Sequence, residues 1–430
     1  MGTSAPAPQW SFASRIAFRF CFVYLGLYCL TTQIVTSFFS PTQGSDIPDP
    51  STLWPMRPIV FWTAAHIFGV KTTLAFDGNS GSGDSMFGWV LVFCLLIIAL
   101  VATGIWSVVD RNRRDYSTLH KWFRLFLRFS LAGQMFNYGL AKVIPVQMPF
   151  PSLTRLVQPF GTFSPMGVLW TSIGASPAYE IFAGCAEVLG GLLLIVPRTA
   201  TLGALVCLAD MTQVFLLNMT YDVPVKQFSF HLILLSAFLL APDIPGLLNL
   251  FVFRRTTGPS PQTGHFASRT ALIAQIAFGI WLVGMNTYTF RQNWFDYGGA
   301  RPLSPLYGIW DVTQMSVDGE PHPPLLTDLS RWRRAIFDSP ARIVFERPND
   351  TFQGYGASID VNRKTLLLTK ASDKGWKANF TFERPTQDEL ELDGQMDGHQ
   401  LHLQLHLLDR NKFPLVGRGF HWISEYSFNR

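Results

Sequence analysis

Two periodicities divide the chain. Up to about residue 290 it is built from long apolar runs separated by short polar connections, and the last hundred residues alternate apolar and polar positions. The long runs fall at about 16–38, 87–109, 121–144, 178–196, 199–217, 228–247 and 270–290. A hydrocarbon core of ~30 Å is crossed by ~20 helical residues, so the pattern predicts seven membrane-spanning helices. The first run has no small-residue cleavage site before its polar flank and reads as a retained span. Arg15 and Arg19 precede the first run. Arg111, Arg113, Arg114, Lys121 and Arg124 lie between the second and third, Arg198 follows the fourth, and Arg254, Arg255 and Arg269 precede the last. Cationic loops stay on the cytoplasmic side, so the expected orientation has the N-terminus inside and everything after the last span outside.

The outer connections would then be about 40–86, 145–177 and 218–227. Within the first, Trp54 to Val70 is apolar but carries Pro55, Pro58 and His66, which predicts a short interfacial or re-entrant helix. The run Asn79-Ser-Gly-Ser-Gly-Asp84-Ser85 lacks the Lys-Ser/Thr of a phosphate loop, and Asp84 or Ser85 is expected to cap the second span. The proline-rich 145–177 connection is expected to fold against the mouth of the bundle. Residues 291–330 read as a mostly irregular connector. Beyond them Ala378–Glu383, Glu389–Asp393 and His399–Leu407 alternate with period two, and Asp393-Gly394 and Asp397-Gly398 supply turn chemistry. The fold class expected is an α-helical polytopic membrane bundle of about seven spans (1–290), a connector (291–330) and a small all-β extracytoplasmic domain (331–430), either sandwich or barrel.

Composition agrees with a membrane protein. Charged residues make up 15% of the chain, against about 25% in soluble domains, and 14% are aromatic. The net charge of +5 resides in loops and is read as a topology signal rather than a nucleic-acid surface. All five cysteines lie in apolar runs without a C-x-x-C, so neither a disulfide framework nor paired-thiol chemistry is expected.

Polar residues inside the runs carry the candidate chemistry. Gln134, Tyr138 and Lys142 advance by i+4 and share one helical face, with Asn137 in the same stretch. Glu180 and Glu187 are seven apart on one face of the fourth run, Asp210 falls at comparable depth on the fifth, and His231 lies near the outer end of the sixth. Together they predict a polar funnel open to the outside, or else a structural network joining the helices. In the catalytic version Lys142 is the base, Tyr138 an oxyanion donor and Glu187 a third catalytic group, while Gln134, Asn137, Asp210, Asp222, Lys226 and His231 contact substrate. Asp222 and Lys226 are also expected to pair across their turn. No metal site is expected, because His402 and His406 on one strand face are ~13 Å apart. His421-Trp422 reads as lining one end of a barrel, or as structural.

From about Arg128 to Asp243 the chain resembles the DoxX-like family of polytopic membrane proteins. The likeness rests on Tyr138-Gly139-Leu-Ala-Lys142, Ser164-Pro-Met-Gly167 and the Glu187 run ending Gly190-Gly191-Leu-Leu-Leu. Tyr221-Asp-Val-Pro-Val-Lys226 and Gly419-Phe-His-Trp422 are similar to segments of its longer members. The resemblance implies a four-helix core at about 121–250. Through short members described as thiosulfate:quinone oxidoreductase subunits, it also implies a quinone as cofactor. Gly139 and Lys142 also resemble a turn in the membrane domain of vitamin K-dependent carboxylase, where a lysine is catalytic, and lipase maturation factors share the general plan. The function implied is binding or transformation of a lipophilic substrate, with a quinone as one candidate, at the outer face of the cytoplasmic membrane. The alternative is a non-catalytic assembly factor whose β domain holds an exported protein. The expected partners are thus the lipid bilayer, a lipophilic small molecule or an exported protein, and no nucleic acid.

Overall fold

The computed structural model describes residues 10–39, 48–72, 74, 82–256 and 268–429. Asn79–Gly81, part of the glycine-rich turn, lie outside the described residues. The chain forms two compact units, one from 1–147 and 178–293, the other from 148–177 and 294–430.

The first unit is helical: α1 (Phe12–Thr31), α2 (Met56–His66), α3 (Met86–Val109), α4 (Ser117–Val143), α5 (Pro177–Ile195), α6 (Ala200–Thr220), α7 (Lys226–Leu240) and α8 (Arg269–Asp296). Among the described residues six helices are long and apolar enough to cross a membrane, namely α1, α3, α5, α6, α8 and α7 with its extension to Phe251. This is the architecture of a multi-pass membrane protein. The expected third span differs. The 27 residues of α4 are long enough, at ~1.5 Å each, to cross a bilayer, but the helix is too polar to belong to this set. Its burial supplies the reason. From Leu127 to Lys142 every residue except Tyr138 is buried, so α4 is solvated by protein on all sides and needs no lipid-facing stripe.

Ser85 caps α3 through Gly88 N, as expected. Asp84 acts elsewhere: its carboxylate accepts from the backbone N–H groups of Lys226 (2.8 Å) and Gln227 (2.9 Å), and so caps α7 from a distant segment. Gly83 N also donates to Pro224 O. The 82–85 and 222–227 segments therefore share one end of the unit. At the opposite end Arg15 donates to Arg113 O, and Arg19 reaches Tyr116, Ser107 and Asp110 O. There too, Arg124 and Thr201 meet at Asp243.

The second unit is an all-antiparallel barrel of eight strands in up-and-down order: β1 (Gly308–Val317), β2 (Arg334–Ser339), β3 (Arg342–Glu346), β4 (Phe352–Asp360), β5 (Thr365–Lys370), β6 (Asp373–Glu383), β7 (Glu389–Met396) and β8 (His399–Leu407). It closes by pairing β1 with β8, from Trp310 opposite Leu407 to Val317 opposite Leu401. Closure removes both sheet edges. Alternate residues fill the interior, including Ala378, Phe380 and Phe382 of β6 and Leu401, Leu403 and Leu405 of β8, together with Trp310, Phe337, Phe345 and Tyr355.

Three expectations are corrected here. The closing strand β1 lies within the stretch expected to be an irregular connector, because its Gly308–Val317 pattern is only partly alternating. Asp393-Gly394 is no turn: Gly394 sits inside β7, where a Cβ would collide with Asn379 O and the Phe380 ring. Asp397-Gly398 does form the β7–β8 turn, with φ of 51° and 88°. Residues 148–177 group with the barrel's unit: Leu153, from the short helix Leu153–Val157, packs on Ile309 and Ile336 outside the barrel.

Candidate functional site

Glycines set the site by letting helices approach closely. A Cβ at Gly184 of α5 would lie 2.6 Å from Gly139 O and 2.7 Å from Lys142 Cβ, both on α4. Two turns on, one at Gly191 would lie 2.7 Å from the Phe136 ring. The opposite flank of α5 meets α6 in the same way. Gly190 faces Cys207 Sγ at 2.8 Å, and Gly203 of α6 faces Leu194 N at 2.8 Å. Small residues at helix crossings are how membrane helices pack without side-chain clash. Glu187 lies one turn from both Gly184 and Gly190, and therefore faces both seams.

Across the α4 seam Lys142 Nζ lies 2.8 Å from each carboxylate oxygen of Glu187. Both residues are buried, at 8% and 2% exposure. The crossing at Gly184 puts the C-terminal end of α4 seven residues into α5, ~10 Å from its start. Lys142 Nζ also donates to Tyr138 O at 3.4 Å and sits 5.9 Å from the Tyr138 ring centre. Across the α6 seam the register that places Gly203 on Leu194 and Cys207 on Gly190 brings Asp210 opposite Glu187. Glu187 and Lys142 are the charged groups acting on Asp210. Lys142, Glu187 and Asp210 thus form one cluster. Glu180, two turns before Glu187, is also buried.

The other anticipated residues occupy different places. The Tyr138 hydroxyl accepts from Gln33 Nε2 at 3.0 Å, while its ring lies beside Lys142. Gln134 is buried and donates to Ser37 Oγ at 2.6 Å, beside the break that follows α1. Asn137 is buried on the same turn of α4 as Tyr138. His231 forms its own group: the ring stacks on Tyr28 at 3.7 Å, Nδ1 lies 2.7 Å from Gln227 O and Nε2 lies 2.8 Å from Tyr24 Oη. A carbonyl only accepts, so Nδ1 carries a hydrogen, and with Tyr24 on the other nitrogen the imidazole is fixed in the core. Asp222 and Lys226 pair at 2.8 Å, with Asp84 3.9 Å from Lys226 Nζ.

The sequence reading missed Arg128, buried one helix face away. Its guanidinium donates to Ile195 O at the C-terminal end of α5, and to Gln275 of α8. A cation at a helix C-terminus offsets the dipole there, which gives Arg128 a structural role. Its contiguity with the Gln134–Lys142 stretch was the available signal.

In the barrel unit, His402 Nδ1 lies 2.6 Å from Asp393, and His399 Nδ1 lies 2.7 Å from Asp318. Hydrogen bonds from His399 and from the Gln400 N–H hold the Asp318 carboxyl below the usual aspartate range. Burial pushes the Glu346 carboxyl up, against the opposing pull of its ion pair with Arg334. Among the described residues no group of three or more His, Cys, Asp or Glu could hold a metal.

These features define a multi-pass helical membrane protein with an ionisable cluster where three helices meet and an eight-stranded barrel as its second unit. No family model matches the chain, and no solved structure matches it. It is similar to the uncharacterized protein YwoB of Bacillus subtilis (strain 168), 35% identical over 129 residues, which are 30% of this chain and 79% of that relative. The chain belongs to the family of that protein.

Proposed function

We propose that the protein is a DoxX-like integral membrane protein that binds or transforms a lipophilic small molecule at Lys142 and Glu187, with its barrel on the outer side of the cytoplasmic membrane. The observation that carries this reading is the buried Lys142–Glu187 pair with Asp210 opposite it. Charges among membrane helices are costly to keep, and well-packed apolar residues would join the helices at least as well. Lys142 serves here as a cation and hydrogen-bond donor rather than as the free base anticipated from sequence, because both Glu187 oxygens hold its proton. Two of its three hydrogens face Glu187, and the third makes only the 3.4 Å contact to Tyr138 O. A ligand carbonyl could replace that weak contact, with the Tyr138 ring as an apolar wall beside it. A quinone fits this donor set, and when bound it would supply redox chemistry.

The test is mass spectrometry of lipophilic molecules extracted from purified wild-type and Lys142→Ala protein, matched by thermal melt. A molecule retained by the wild type and lost from the variant supports the site. Equal retention, or none in either, would contradict it. A second reading, a non-catalytic assembly factor for an exported protein, is favoured by one observation: Phe420, Trp422, Ile423 and Tyr426 near the chain end are 76–91% exposed. In that case a protein partner copurifies and Lys142→Ala retains it.

A further inference from the structure

We propose that Asp210 is a proton-binding site, its carboxyl group carrying a proton in the resting protein so that the cluster with Lys142 and Glu187 is electrically neutral. The inference deepens the proposed function, since it concerns the same site, but the proton is read without any ligand.

Position argues first. Asp210 is the eleventh of the 21 residues of α6, ~15 Å from either end of an otherwise uncharged helix. An ionised carboxylate at that depth needs a cation or several donors. Geometry then assigns what is available. Among the described residues Lys142 is the cation acting on the cluster, and its ammonium is engaged by both oxygens of Glu187 at 2.8 Å. Glu187 is thereby compensated. Asp210 is partly buried, and among the described residues its Oδ2, the buried oxygen, has no hydrogen-bond partner. Among the described residues the neighbouring elements bring no further cation: Cys207, one turn earlier on α6, is a free thiol facing Gly190, and His231 of α7, the helix packed against α6, is committed to Tyr24 and Gln227. Two carboxyl groups and one ammonium leave one negative charge, and one proton removes it. Because Glu187 has both oxygens occupied, the proton belongs on Asp210.

This gives the site a coupling property. A ligand that draws Lys142 away from Glu187 leaves the Glu187 carboxylate uncompensated, so the cluster takes up a second proton as the ligand binds. Ligand affinity at Lys142 would then rise as the pH falls.

The experiment is infrared difference spectroscopy on the full chain in nanodiscs, ligand-free, on exchange from H2O to D2O. The expected result is a carboxylic-acid carbonyl band at neutral pH. It should shift on labelling aspartate with ¹³C at the carboxyl, survive in Asp210→Glu and disappear in Asp210→Asn. The isotope experiment uses the unaltered protein and so does not depend on a variant folding. Absence of the band, its indifference to aspartate labelling, or its persistence in Asp210→Asn would overturn the proposal. Failure to retain any lipophile would leave the band untouched, so the two readings fail separately.

Discussion

At the scale of single residues, the molecule places its buried charges in pairs and at helix ends, and each arrangement can be tested by removal. Lys142→Met leaves Glu187 buried and uncompensated, with an expected cost of about 3–5 kcal/mol, whereas Lys142→Met with Glu187→Gln should recover most of it. Thermal melts of the four proteins of this cycle check it, and a double variant as unstable as the single would contradict the pairing. Asp84→Ala removes the carboxylate that accepts from the first N–H groups of α7, for an expected loss of about 1–2 kcal/mol. The pairing of Asp222 with Lys226 was legible in the sequence because the two are four apart around a proline turn. The role of Asp84 was not, because its partners lie 142 and 143 residues away and no local pattern announces them. Lys142 was legible as a polar residue in an apolar run, but its proton assignment was not. Whether a buried lysine is a free base or half of an ion pair depends on Glu187, 45 residues along the chain.

At the scale of elements, small residues decide which helices touch. Gly184→Ala introduces a Cβ within 2.6–2.8 Å of Gly139 O, Lys142 Cβ and Val143 N, and should force α4 from α5 at a cost of about 1–3 kcal/mol. Gly104→Ala, where a Cβ meets nothing within 4 Å, should be neutral or stabilising by up to ~1 kcal/mol. Comparable effects of the two on the melt would contradict the seam. The apolar runs were legible as helices with boundaries close to those observed, except the first, expected over 16–38, whose helix α1 ends at Thr31. The polarity of α4 misled a count of spans because hydropathy measures the tolerance of a helix for lipid, and α4 touches little of it. In the barrel, the alternation of β6, β7 and β8 was readable. The closing strand β1 was less so, since Trp310, Val312 and Met315 depart from strict alternation at the register shift between Val312 and Gln314. One of its aspartates adds a pH dependence. Asp318 is held below the ordinary aspartate value of about 3.9, so its contribution is present above that value and lost as the pH falls through the lowered one. The β signal of the full chain should melt progressively earlier on acidification, and Asp318→Asn should flatten that dependence. Identical pH profiles would contradict the role of the His399–Asp318 contact.

At the scale of the whole molecule, the helical unit gathers its basic segments, Arg15, Arg113 and Arg124 among them, at one end, and the 82–85 and 222–227 turns at the other. That arrangement supports the orientation proposed, with the N-terminus inside and the barrel outside. Cysteines introduced singly at exposed Arg363 and exposed Arg111 should then react with a membrane-impermeant reagent from opposite sides of intact cells, Arg363→Cys from outside. Labelling of Arg111→Cys from outside would reverse the topology. The central claim is that the cluster serves a ligand rather than only joining helices, and the most direct measurement exchanges the partners: Lys142→Glu with Glu187→Lys. The exchanged pair keeps the ion pair between α4 and α5 but moves the cation to α5, away from the Tyr138 carbonyl and ring. A ligand site predicts a protein that melts near the wild type yet loses the lipophile detected by mass spectrometry, whereas unchanged retention in the exchanged protein would show that the pair acts as structure alone.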